Sequence, residues 1–405
     1  MDLQNPSHSI RLRLAFVLSS NLGQWAGIEH TLYQYCIHKP DDVEVTIFQP
    51  DFNPSPRISD KEVNALFSGV NIRTFSGYFN KCGFLEGSEI NKTLTEVLII
   101  PFLAFVLKHS VLWKLRSELE RFDVVYFFSS NRESRLVSGK KPILIGSVHG
   151  WFLSNNNLLK RLELKLVENG IAMHNLQYFH VFPAQYALLK MESDKRKFFA
   201  IPNGVESGRY TPIEINGNDN SPIRFLFNGR LEDCKGVLKV IKAFKSLEIN
   251  ESVELHIVGS GSLEDRIESQ TDHRIYLHGF VSEAKLAGVV SSCDVLVYPS
   301  LCDSFSLVVL NSLSSGLHII TTEEISRNFT PFLDRGFITL VDSIPDNIAK
   351  AMRKTVKNIQ EIRNARSECH GMVAKRYDWS LVSMELYSKI KELYVKPFSK
   401  LRDNI

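Results

Sequence analysis

The chain has 405 residues, 44% of them hydrophobic and 23% charged, and carries a formal net charge of +3. That length is long for one core and predicts two domains, while the composition excludes a disordered chain and an integral membrane protein. The charge is too small to argue for nucleic acid. Six scattered cysteines (Cys36, Cys82, Cys234, Cys293, Cys302, Cys369) form no Cys-x-x-Cys pair, and no histidine cluster has metal spacing. Neither a disulfide framework nor a zinc site is expected, and free thiols in a reducing cytosol are.

The amino terminus lacks a basic run, and Leu14 to Leu18 is too short for a signal peptide's core, so residues 11–18 read as a first strand. Apolar runs predict further strands over 43–48, 123–128, 142–148, 178–182 and 198–201, with a helix over 28–37 and helical patterns between most of the others. Continuous apolar strands separated by helices require a parallel sheet covered on both faces. The run Val97 to Leu107 has too few apolar residues for a membrane span, which needs about 20, and reads as a buried or interfacial helix.

Between Gly208 and Pro222 the composition turns to Gly, Asn, Asp, Ser and Pro, which predicts an interdomain linker. The alternation then restarts, with strands predicted over 223–228, 253–258, 274–277, 294–298, 317–320 and 337–341, and a final amphipathic helix from Ser380 to Tyr394. Two doubly wound α/β halves follow, residues 1–207 completed by the final helix at about 380–405, and residues 223–379. Ligand is expected between them at the carboxyl ends of the strands.

Chemistry-bearing residues gather at those ends. Tyr298-Pro-Ser-Leu-Cys-Asp303 leaves a strand and runs into Phe305, Leu307, Val308, Leu310 and Leu313 at helical spacing, with Gly316 as a stop. A helix N-terminus there seats phosphate through its unpaired N–H groups and dipole. Asp303 sits before the helix and Asn311 about 12 Å further along a regular axis; Asp303 equally suits an N-cap, and Asn311 a surface position. Gly229-Arg230 to Lys235-Gly236 places two cations after another strand, a planar fork and a mobile point charge suited to a diphosphate, although such residues are as often solvated surface. Val258-Gly259-Ser-Gly-Ser262 and His278-Gly-Phe280-Val281 are loops at the same edge; glycine at 259 permits close approach to a ligand, or simply a tight turn. In the first half Gly27 opens a helix, Glu29 suits either a hydroxyl contact or the helix dipole, and His149 follows a strand's end.

The blocks Phe227-Asn-Gly-Arg-Leu-Glu-Asp-Cys-Lys-Gly236, Leu255-His-Ile-Val-Gly-Ser-Gly-Ser-Leu263, Leu277-His-Gly-Phe-Val-Ser282, Asp294-Val-Leu-Val-Tyr-Pro-Ser300 and Asp303-Ser-Phe-Ser-Leu-Val-Val-Leu-Asn311 share their order and spacing with a known family. With Ala26-Gly-Ile-Glu29, Ser147-Val-His149 and Ile201-Pro-Asn-Gly-Val205, the chain resembles the retaining glycosyltransferases of family 4, of GT-B architecture. The resemblance implies sugar transfer from a nucleotide-diphosphate donor, with retention of configuration and no obligatory metal. It implies that Arg230 and Lys235 hold the donor diphosphate, that backbone at Ser306 and Leu307 adds N–H donors, and that Gly27 lies beside the phosphates or sugar. His149 and Asp303 would contact the sugar and Asn311 the ribose, with Gly229, Gly259, Phe280 and Val281 on the donor side and Glu29 on the acceptor side. The family's usual pair is two glutamates, against Asp303 and Asn311 here, and it prefers glycine where Ser306 stands. These departures leave open a GT-B protein that binds nucleotide sugar, or a partner, without transfer; an epimerase or phosphorylase on the same architecture is a further alternative. Residues 158–166, the basic run 195–197 and the apolar stretch before Lys108 suit peripheral contact with an anionic membrane and a lipid-linked acceptor as well as they suit ordinary core helices.

Overall fold

The computed structural model describes residues 11–18, 20–24, 27–51, 58–75, 115–128, 137, 142–147, 176–189, 198–213, 221–247, 252–301 and 303–395. His149, the apolar stretch 97–107, the segment 158–166 and the run 195–197 lie outside them.

Thirteen strands are described in chain order: β1 Leu12–Leu18, β2 Val43–Pro50, β3 Asn71–Phe75, β4 Val124–Phe128, β5 Ile143–Ser147, β6 Tyr178–Val181, β7 Phe198–Ala200, β8 Ile223–Asn228, β9 Val253–Val258, β10 Ile275–Gly279, β11 Val295–Tyr298, β12 His318–Thr321 and β13 Ile338–Leu340. They form a seven-stranded sheet in the order β3-β2-β1-β4-β5-β6-β7 and a six-stranded sheet in the order β10-β9-β8-β11-β12-β13. Neighbours pair in parallel throughout. The fold is the expected α/β architecture of two doubly wound domains, that is, GT-B. In each sheet the strand order reverses once, between β1 and β4 and between β8 and β11, and such switch points open crevices at the strands' carboxyl ends.

Central strands such as Val124–Phe128 are buried at every residue, as a sheet covered on both faces demands. The edge strand β3 is half exposed and polar in alternation, which hid it from the apolar-run criterion. The last helix, Trp379–Val395, returns to the first domain. Trp379, Val382, Leu386, Tyr387, Ile390 and Leu393 join the cluster built on β1, β2 and β4, each large apolar side chain contributing roughly 1.5–3 kcal/mol. Tyr387 donates to the carbonyl of Tyr35 at 2.8 Å, which spares a buried hydroxyl.

Cys36, Cys293 and Cys369 are buried free thiols. Cys234 is disulfide-bonded, which corrects the expectation of free thiols throughout. Spacing along the chain reports sequence neighbours, whereas a disulfide requires Cα atoms within about 7 Å in space.

A buried polar relay crosses the first sheet. The hydroxyl of Tyr126 meets His180 Nδ1 at 2.5 Å, and His180 Nε2 faces the carbonyl of Ile201 at 2.9 Å. A carbonyl accepts, so Nε2 carries a proton, and burial disfavours a second one on Nδ1, which keeps the ring neutral. Burial lowers the His180 pKa to about 4, and that of the mostly buried His318 to about 4 as well. Both folded values lie below the unfolded one, so the stabilising contribution is complete above about pH 6.5 and is lost as pH falls towards 4. Urea unfolding at pH 7 and pH 5 is expected to show a loss of about 2 kcal/mol per histidine; equal stability at the two pH values would contradict the neutral, buried assignment.

Candidate functional site

The loops after β8, β9 and β10 are fastened to one another before they face anything else. Gly229 N donates to Val258 O at 3.0 Å, Leu231 N to Ser260 O at 2.9 Å, Leu263 N to Leu231 O at 3.1 Å and Gly259 N to Gly279 O at 2.9 Å. Gly259 has φ of 133°, and a Cβ there would lie 1.9 Å from the carbonyl oxygen of Gly229. The close approach that demands glycine at 259 is to the chain itself, as the tight-turn reading of this loop has it. The Gly259→Ala variant is expected to lose about 3 kcal/mol through overpacking and positive φ; unchanged unfolding by denaturant would return Gly259 to a ligand-side role.

This fastening presents the loop Gly229–Gly236, which ends in the 3-10 turn Asp233–Lys235, to the other side of the switch point. Lys235, 6% exposed, reaches Asp303 Oδ1 with Nζ at 2.5 Å. Asp303 Oδ2 accepts from the hydroxyls of Tyr298 at 2.7 Å and Ser300 at 2.8 Å. Asp303 thus lies ahead of the helix Leu307–Ser314 and is not its N-cap. Ser306 is the cap, its hydroxyl accepting from Val309 N at 3.3 Å. The first intrahelical bond runs from Leu310 N to Ser306 O, so the amides of Leu307 and Val308 precede the ladder. Arg230 is two-thirds exposed and paired with Glu232 at 2.8 Å, within the same loop.

Across from this edge stands the start of the helix Gly27–Ile37. A Cβ at Gly27 would lie 3.7 Å from Leu307 Cδ1, so the first turns of two helices, one from each domain, face each other at contact distance. Between the domains lies a cavity of about 790 Å³. Gly27, Phe280, Val281, Leu307 and Asn311 line it, and Phe280 is 75% exposed. The structure brings these five expected residues onto one cleft. Gly229, Arg230, Lys235, Asp303 and Ser306 stand on the adjoining loops rather than among its lining residues, and His149 lies outside the described residues. Glu29 is 1% exposed and accepts from Ser20 Oγ at 2.5 Å, so its carboxylate is buried in the first domain.

Several contacts hold the domains in this relation. Phe182 of the first domain packs on Phe305, ring centroids 5.0 Å apart. Asn328 accepts from Ala184 N at 3.1 Å and donates to Ser304 O at 2.8 Å. In the crossing segment a Cβ at Gly204 would lie 2.6 Å from Trp379 Cδ2, while Val205 exchanges backbone bonds with Tyr377 and Trp379 at 2.7 and 3.1 Å. At the cleft's rim His30 stands between Glu206 and Glu283 at 3.9 and 3.8 Å. These three present ligand atoms within 4.8 Å of one another, yet Arg209 pairs both carboxylates at 2.8 and 3.2 Å and supplies the positive charge a metal ion would bring. The cluster is an ionic clasp between the crossing segment and the second domain. Sequence reasoning missed Tyr298, Ser300 and this clasp; the Tyr-Pro-Ser run closing β11 was the available signal for the first two.

Comparison with known proteins places this geometry. Residues 222–358 match the family model described as Glycosyl transferases group 1. The chain is 25% identical over 313 residues to the UDP-Gal:alpha-D-GlcNAc-diphosphoundecaprenol alpha-1,3-galactosyltransferase of Escherichia coli, covering 70% of this chain and 78% of that protein. It is 26% identical over 212 residues to the phosphatidylinositol N-acetylglucosaminyltransferase GPI3 subunit of Saccharomyces cerevisiae, covering 47% of this chain and 45%, under half, of that relative. Among solved structures, Anabaena Alr3699/HepE in complex with UDP and glucose superposes with a TM-score of 0.65 at 14% identity, over 93% of this chain and 99% of that one. The lipopolysaccharide outer core galactosyltransferase WaaB, in its apo form, gives a TM-score of 0.62 at 14% identity, over 94% and 99%. The chain therefore has the GT-B fold, and its residues 222–358 are similar to the Glycosyl transferases group 1 family.

Proposed function

We propose that the protein is a glycosyltransferase moving a sugar from a nucleotide-diphosphate donor to a glycan or lipid-linked acceptor, with retention of anomeric configuration and no obligatory metal. The observation that carries this reading is the Lys235–Asp303 pair, which spans the switch point of the second sheet beside the start of the helix Leu307–Ser314 and opposite the helix that Gly27 opens.

Glycosyl transfer breaks the bond between the anomeric carbon and the diphosphate oxygen. The electron pair leaves with the diphosphate, the sugar acquires oxocarbenium character, and the acceptor hydroxyl adds from the same face and passes its proton to the departing diphosphate oxygen. Charge on the departing oxygens grows towards the transition state, so fixed donors aimed at them favour it over the ground state. In this reading Lys235 and the amides of Leu307 and Val308 meet the diphosphate, and Arg230 exchanges Glu232 for a phosphate oxygen as a bidentate fork. Asn311 hydrogen-bonds the ribose, the exposed ring of Phe280 with Val281 flanks the base, Gly27 admits the phosphates, and His149 contacts the sugar. Residues 1–207, closed by the last helix, form the acceptor side, and approach of the two domains excludes water.

The acceptor class is supported by the relatives' names, one acting on a diphosphoundecaprenol-linked sugar and the other on a phosphatidylinositol. Among the described residues no helix is long and apolar enough to cross a membrane. Peripheral attachment at the cytoplasmic face would bring such acceptors to the cleft.

The test is release of nucleoside diphosphate from a panel of nucleotide sugars, with and without acceptor. Arg230→Ala, on an exposed side chain, is expected to lower turnover about 10²-fold or more with unchanged Tm, and Lys235→Ala to lower it at least as far while also lowering Tm, because Asp303 loses its counter-ion. Near-normal turnover in both variants would remove the assignment.

A further inference from the structure

Two departures from the pattern that the chain resembles, aspartate at 303 and serine at 306, meet at one buried phenol. Tyr298 is 2% exposed and ends β11. Its hydroxyl donates to Asp303 Oδ2 at 2.7 Å, and the hydroxyls of Ser300 and Ser306 border the phenol oxygen itself. Burial, then the charge of Asp303, raises the phenol's pKa well above its ordinary value, so it remains a donor throughout the physiological range. The ring lies under Lys235, with Nζ 5.9 Å from its centroid, and a Cβ at Gly229 would sit 3.3 Å from Tyr298 Cε2. The tyrosine is therefore wedged between the two loops that flank the switch point and is too deep to touch a donor.

A carboxylate offers about four lone-pair positions. Three are taken here: Lys235 on one oxygen, Tyr298 and Ser300 on the other. A glutamate carries its carboxylate one methylene further out; the aspartate holds it back within reach of the phenol.

Resting on the glycosyltransferase reading above, we infer that Tyr298 is a positioning residue which draws Asp303 inward as the fixed counter-ion of Lys235, so that in this chain the ammonium, and not the carboxylate, is what the donor meets. A lysine with a free carboxylate neighbour samples many rotamers. Held at 2.5 Å by an acid that is itself tied down twice, Lys235 needs no reorganisation when the diphosphate arrives. Asp303 acts through Lys235. Serine at 306 belongs to the same unit, since its hydroxyl both caps the helix that receives the phosphate and borders the phenol. Asp303 and Ser306 thus meet the same phenol in one site.

Four proteins test this: Tyr298→Phe, Asp303→Asn, their double variant and Asp303→Glu. Each is compared with the unsubstituted chain for affinity towards UDP, GDP and ADP and for release of diphosphate from the corresponding sugars. Tyr298→Phe is expected to weaken the best diphosphate about tenfold and to lower kcat by a similar factor, with the nucleoside lacking phosphates bound equally by both. In the Asp303→Asn background the same phenol deletion is expected to change affinity by less than about twofold, because the group it acts through is gone. Asp303→Glu is expected to lose about tenfold, since the longer acid displaces the ammonium. Glutamate at 303 matching or exceeding the original chain, or equal effects of the phenol deletion in both backgrounds, would overturn the inference while leaving the glycosyltransferase reading in place. Failure of the unsubstituted chain to bind any of the three diphosphates would remove that reading and this inference together. Thermal unfolding of each variant separates misfolding from these outcomes, and Tyr298→Phe, which deletes one oxygen, preserves the packing of the ring.

Discussion

An ammonium buried against a carboxylate joins the two sides of the crevice in the second sheet. Lys235 comes from the loop after β8 and Asp303 from the loop after β11, and these strands are the neighbours between which the strand order reverses. Pairs of this kind add little net stability, because desolvation of both ions offsets their attraction. Breaking one is another matter, costing about 3–5 kcal/mol through the charge left behind. The consequence of the pair is placement: a permanent positive charge is fixed where a parallel sheet, a switch point and a helix N-terminus converge.

The surrounding structure exists to hold that point still. The three loops at the sheet's carboxyl edge are bonded to one another through backbone groups, which only a glycine at position 259 allows. From the other domain, the helix begun by Gly27 arrives within contact of Leu307, while Gly204 packs on Trp379 and the Phe182 ring meets Phe305 at a tilt. At the rim Arg209 pairs Glu206 and Glu283, and His30 stands between the two carboxylates. The two sheets, of seven and six strands, reverse their strand order at corresponding points, and a cavity lies between the two domains.

Much of this was legible in the residues. Buried parallel strands announce themselves as unbroken apolar runs, and Gly316, in the left-handed region at φ 75°, marked the end of the helix after Asp303. Where legibility failed, the reason was spatial. The edge strand Asn71–Phe75 offers the core only Ile72 and Phe75, too few for an apolar run. Glu29 and Asp303 were each open to two readings, and what the residues could not show is the hydroxyls each carboxylate meets, Ser20 for one and Tyr298 with Ser300 for the other. For Gly259 the two readings were ligand approach and a tight turn, and its close neighbour in the fold is the carbonyl of Gly229. His180 gave no periodic signal, since a buried histidine bonded to Tyr126 and a carbonyl resembles any other strand residue in one dimension. Partners distant in sequence decide what a polar side chain does, and motif spacing records only the near ones.

The most direct measurement is a crystal structure of the protein with a nucleotide sugar bound. The diphosphate is predicted to lie in the interdomain cleft within hydrogen-bonding distance of Lys235 Nζ and the amides of Leu307 and Val308, with Arg230 released from Glu232 and Asp303 still bonded to Tyr298. A nucleotide seated elsewhere, or a diphosphate remote from Lys235 and the start of the helix Leu307–Ser314, would contradict the placement from which the whole functional reading follows.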